Sequence, residues 1–312
     1  MKYVVWALLA WVLLMAQVAA VADVSLRGPT LGYAFDEKAR AVRVLDGVPG
    51  ASRPGRLLAA GLKSAAIASS RGFALALTAD DQTPVLVTLE TAEVRRFDEW
   101  KSGAAGLVLS PSASSAILLY AGKGVVVSGL PAEPKVEREI DLPAETAALA
   151  ISDDAARVLV AEREGSLMAF DGADPQPVGG LERISALAFL RGSREAVAAS
   201  AALQEIYYLR EDGHLILSAA ADGLGETVAV AASPDRKRAF AALASGSIAA
   251  FELAGGTPVL TPCYCKPVAL DPMSASGVFR LTPFTDLPMM LLDASGSEAQ
   301  VLFVPPAIEE EQ

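Results

Sequence analysis

The chain has 312 residues, with 26 Lys+Arg against 37 Asp+Glu, a formal net charge of -11, one His and two Cys. An acidic chain without a basic block argues against nucleic-acid binding, whose affinity comes from clustered Lys and Arg. A single His, His214, excludes any multi-histidine centre, and two Cys exclude a disulfide framework or a four-cysteine zinc site. With 52% hydrophobic and 20% charged residues the sequence is globular and long enough to bury a large core.

Residues 1–22 read as a secretory signal. Lys2 supplies a minimal positive start, Tyr3 to Val18 is almost unbroken apolar sequence, and Ala20-Val21-Ala22 places small residues where a signal peptidase cuts. Cleavage after Ala22 makes Asp23 the first mature residue and puts the body outside the cytoplasm, periplasmic or extracellular. The alternative is an uncleaved N-terminal anchor, because the apolar run approaches the roughly 20 residues that span a bilayer. No later run is long enough to cross again.

The body is a repeat. An apolar segment followed by a small polar turn recurs at Ile67-Ala68-Ser69-Ser70, Val108-Leu109-Ser110-Pro111, Ala150-Ile151-Ser152-Asp153 and Phe189-Leu190-Arg191-Gly192. It returns at Ala231-Ala232-Ser233-Pro234-Asp235 and Ala269-Leu270-Asp271-Pro272. The markers Ser69, Ser110, Ser152, Arg191, Ser233 and Asp271 are spaced by 41, 42, 39, 42 and 38 residues, close to the roughly 40–45 of a four-stranded propeller blade.

Helical solenoids share that period, so strand character decides. Each marker precedes a short apolar run: Phe73 to Leu77, Ala116 to Tyr120, Arg157 to Ala161, Ala196 to Ala199, Ala239 to Leu243, Val278 to Leu281. A break, often with Gly, leads to a further run such as Ser166 to Phe170 or Ser247 to Phe251. From Ile206 to Leu217 the sequence is a hairpin around Asp212-Gly213, whose residues suit the positive φ of a tight primed turn. No window carries sustained helical spacing between caps. The expected fold is all-β, a β-propeller over residues 23–306 with an acidic tail at 307–312.

Six markers define six blades. Before them, Gly32 to Asp36 and Val42 to Asp46 form a pair resembling the outer half of a blade, like Leu167 to Asp171. About 290 mature residues at a period of about 40 allow slightly more than seven blades. Seven is the expected number, with strands from both chain ends mixed in one blade to avoid an open edge. Six is the alternative.

The turn Ser233-Pro234-Asp235, echoed by Ser152-Asp153-Asp154 and Ser110-Pro111, resembles the repeat element of extracytoplasmic bacterial WD40-like and YVTN-type β-propellers. The resemblance spans nearly all of the mature chain at superfamily level. The Gly-His and Trp-Asp pairs of true WD40 repeats and a strict Tyr-Val-Thr-Asn motif are absent. It implies a propeller and no particular activity, since this scaffold hosts both binding and catalysis.

Candidate chemistry is sparse. His214, beside a hairpin tip, lacks a visible nucleophile and orienting carboxylate and is expected to be an outer, solvated residue. Cys263-Tyr264-Cys265 is the candidate disulfide, since an exported chain meets an oxidising compartment. Free thiols, or a metal, redox or intermolecular role, stand as alternatives. Asp80-Asp81, Asp153-Asp154 and Glu309 to Glu311 lack calcium-loop spacing, and Arg95-Arg96 and Arg236-Lys237-Arg238 are too short for a binding stripe. No nucleophile elbow, phosphate loop or dinucleotide fingerprint occurs.

No catalytic, metal or cofactor residue is therefore assigned. The expectation is a monomeric, non-catalytic scaffold, binding an unknown protein or small molecule and not nucleic acid. The alternative is a propeller hydrolase or lactonase with carboxylates or a metal in its channel.

Overall fold

The computed structural model describes residues 28–172, 174–273 and 276–307. The expected signal (1–22) and residues 308–312 of the acidic tail lie outside them, and no helix among the described residues is long and apolar enough to cross a membrane. Those residues form 27 strands and two short 3-10 turns. The strands make seven antiparallel sheets, spanning 30–57, 62–95, 106–141, 146–182, 186–218, 227–262 and 271–304, each pairing its strands in chain order. Six sheets have four strands and the first has three. This is a seven-bladed β-propeller.

Seven apolar clusters hold it together, and each joins two neighbouring blades. Alternation explains this: one face of every sheet packs forward in the ring and the other packs back. The cluster of Leu31, Ala34 and Leu45 with Met273, Phe284, Met289 and Val304 closes the first blade on the seventh. Near the axis the second strands are crowded and small. Ala74 and Ala76, Ala196, Ala198 and Ala199, and Ala239, Ala241 and Ala242 are all fully buried, so the abundant alanine fits the taper of the blades.

The recurring turn joins the innermost strand of a blade to the second. Its first residue donates its N–H to the carbonyl five residues on, as in Ser110 to Ser115, Ser152 to Arg157, Leu190 to Glu195, Ser233 to Arg238 and Met273 to Val278. Where that residue is Ser with Asp two places later, the turn is also clasped by side chains. Ser233 Oγ donates to Asp235 Oδ1 at 2.6 Å and accepts the Arg238 N–H at 2.9 Å; Ser152, Asp154 and Arg157 repeat the pattern. The structural equivalents in the fifth and seventh blades are thus Leu190 and Met273, one and two residues from the markers Arg191 and Asp271.

Three expectations are corrected. The strand Thr30–Asp36 is an innermost strand, not part of an outer half-blade, and it lines the axis beside Leu62–Ala68. Among the described residues no blade mixes strands from the two chain ends: the first uses only 30–57 and the seventh only 271–304. Closure comes from side-chain packing and a single parallel bridge between Asp36 and Phe284. Finally, the hairpin of the fifth blade closes at Arg210 and Gly213, so its turn residues are Glu211 and Asp212. Only Gly213 has positive φ there, and the Arg210–Asp212 ion pair spans the turn.

Candidate functional site

The seven innermost strands surround a central channel of about 600 Å3. Its wall is mainly Ala, Val, Leu and Ile, because residues facing the axis sit where neighbouring strands converge. Ser64, Ser69, Ser70, Ser110 and Ser233 also line it; Ser110 and Ser233 spend their hydroxyls on their own turns, and Ser69 Oγ is buried without a hydrogen-bond partner among the described residues. The charged lining residues are Glu37, Arg191, Asp271 and Arg280. Asp271 is ion-paired with Arg280 across the first two strands of the seventh blade, its side chain 57% exposed. Such a wall can hold an apolar or hydroxylated group. Its charged groups are two carboxylates and two guanidiniums, of which Asp271 and Arg280 neutralise each other.

The residues singled out in the sequence are scattered. His214 is exposed on the outermost strand of the fifth blade, edge-on to Tyr207 with ring centroids 5.7 Å apart. Cys263 is buried between the sixth and seventh blades while Tyr264, at positive φ, is 92% exposed. The Cys263 and Cys265 sulfurs stand at bonding distance, with Cα atoms 5.1 Å apart. Asp81 serves its own turn: hydrogen bonds from the Thr78 hydroxyl and the Thr83 N–H hold its carboxyl well below the usual range. In the fifth blade, burial and the neighbouring Glu195 carboxylate push the Tyr208 phenol up to about 12, and its hydroxyl donates to Glu195 at 2.7 Å. Among the described residues no three His, Cys, Asp or Glu side chains converge as a metal site would require.

One arginine of each short basic group, Arg95 and Arg238, pins a seam. Arg238 donates to the Ala294 carbonyl at 2.7 Å across the sixth and seventh blades and lies over the Phe240 ring; Arg95 reaches Pro131 of the next blade. Arg71 and Arg138, which the sequence did not single out, do the same toward Leu130 and Ala155. Sequence alone carries no signal for them, because their acceptors are backbone carbonyls one blade away.

A second concavity, a groove of about 790 Å3, lies on the rim where the first blade meets the seventh. The strand Ala51–Leu57 supplies one wall, with Arg53 and Arg56; Phe303 and Pro305 of the seventh blade supply the other. Nothing in the sequence marks it, since it exists only because the first blade has no fourth strand among the described residues.

No family model matches the chain, and no curated protein matches it. Solved β-propellers do. A functionally unknown protein from Desulfotomaculum acetoxidans aligns with TM-score 0.60 and 16% identity, over 88% of this chain and 99% of that one. A chain of a mitotic checkpoint complex aligns with TM-score 0.57 and 13% identity, over 86% and 85%. Hsv2 of Kluyvelomyces marxianus gives TM-score 0.56 and 10% identity, over 88% and 97%. At these identities the likeness is one of fold, that of the β-propeller.

Proposed function

We propose that this protein is an exported, non-catalytic binding scaffold whose central channel accepts an apolar or hydroxyl-bearing group of a protein or small molecule. The observation that carries the reading is the channel wall, small and apolar with spaced serines and few charges, the composition typical of binding pockets. Export rests on the Lys2 start, the apolar run and the Ala20-Val21-Ala22 site. A net charge of -11 disfavours polyanionic partners.

The test combines titration and turnover. Mature chain from Asp23 is screened by calorimetry against apolar and hydroxylated ligands and assayed against lactones and glycosides. Saturable binding lost in Ala232→Trp, which fills the channel wall, without turnover of any substrate, supports the scaffold. Turnover abolished by Asp271→Asn would establish the hydrolase reading instead.

A further inference from the structure

We infer that the rim groove between the first and seventh blades is a docking site for an extended acidic segment of a partner protein. The inference shares the binding reading for its class of function but centres on Ala51–Leu57 and Phe303 and not on the channel wall, with Tyr33 bordering both concavities.

Three features of the groove select that occupant. The first is a sheet edge: every other blade has four strands, whereas among the described residues none pairs with the outer edge of Ala51–Leu57. An extended chain is the shape that fits such an edge. The second is charge. Arg53 and Arg56 line the groove exposed, and among the described residues neither forms an ion pair, hydrogen bond or ring contact. Asp46, the one acidic lining residue, is turned against Gly55, where a Cβ would collide with its carboxylate. Two uncommitted guanidiniums on a chain of net charge -11 make a local anion-attracting patch, and guanidinium binds carboxylates in a fork that lysine cannot reproduce. The third is apolar area: the opposite wall carries Phe303, 60% exposed, beside Pro305.

Pro54 adds selectivity. A proline within an edge strand withholds a backbone donor and blunts indiscriminate strand addition. Side-chain chemistry then decides what stays, namely carboxylates toward the arginine wall and an apolar or aromatic group toward Phe303.

The test is fluorescence anisotropy with the mature chain and a labelled nine-residue peptide alternating Glu and Val around one Phe. Its control is the same peptide with Gln for Glu. The expected result is binding of the acidic peptide that weakens by about tenfold or more in Arg53→Glu/Arg56→Glu, in Phe303→Ser, with the Gln peptide, and at high salt. Ala232→Trp in the channel leaves it unchanged. Equal binding of both peptides, or insensitivity to the arginine and Phe303 variants, overturns the proposal. So does acidic-peptide binding seen only after residues 308–312 are removed, which would assign the groove to the chain's own acidic end. Self-association lost in the arginine variant would assign it to a second copy and overturn it equally. Failure of every channel ligand to bind the parent chain, with intact peptide binding, would sink the scaffold reading and leave this one standing.

Discussion

Arg43 and Asp36 pin the first blade to the seventh. The Arg43 guanidinium donates from Nε to Asp36 Oδ2 at 2.7 Å, donates to the Gly55 carbonyl at 2.8 Å, and lies 5.6 Å from the centre of the Phe284 ring. Their side chains are 15% and 5% exposed, and Asp36 is also the residue bridged to Phe284. One ion pair thus combines a blade turn, a third strand and the closing seam.

Removing Arg43 leaves a buried carboxylate without its cation. Arg43→Ala is expected to destabilise the fold by about 3 kcal/mol, whereas Arg43→Ala with Asp36→Ala loses less than the sum of the single changes. Denaturant unfolding of the parent, the two single variants and the double variant measures the coupling. Strict additivity would show that the two side chains act independently.

Gly47 opens the hairpin that carries the groove. Its φ of +114 is one that side chains rarely adopt, and a Cβ there would strike the Ala51 carbonyl. Gly47→Ala is expected to cost about 1–3 kcal/mol and to loosen residues 46–57 first. Amide exchange of that hairpin against the fourth blade is the measurement, and uniform protection in both would contradict it.

The Arg157–Asp171 pair gives an acid signature. Arg157 holds Asp171 in a fork at 2.6 and 2.7 Å, and its hydrogen bonds keep the Asp171 carboxyl below its ordinary value. A lowered native pKa contributes stability above the unfolded aspartate value of about 4 and loses it as pH falls through the native value. With Asp171 46% exposed, the contribution is below about 1 kcal/mol. Asp171→Asn should therefore lower stability at pH 7 by up to about 1 kcal/mol and flatten the decline below about pH 4, where the two chains converge. A decline as steep as in the parent chain would assign it to other carboxylates.

Cys263 and Cys265 are expected to resist alkylation until reduced, then to take two labels by intact mass. Two residues apart, they close so small a loop that reduction should lower stability by only about 1–2 kcal/mol. Labelling of the unreduced protein would show free thiols.

Much of the propeller was legible because a short polar turn between the first two strands recurs with an apolar run after it, most plainly at Ser152 and Ser233, each with Asp two places on. The first blade hid itself for a physical reason. Its turn begins with Asp36, not Ser, and stands 32 residues before the equivalent Ala68, which pairs with Phe73, because a strand is missing between them. Gly32 to Asp36 and Leu167 to Asp171 read alike, since alternation shows that a strand is half-buried and not whether it faces the axis or the rim. The groove was illegible for a similar reason: Arg53 and Phe303 are 250 residues apart in sequence and meet only through ring closure.

Gly28 and Pro305, close to the two ends of the described chain, border the same rim groove. Whatever docked on the rim would therefore stand beside the points where the described chain enters and leaves the ring.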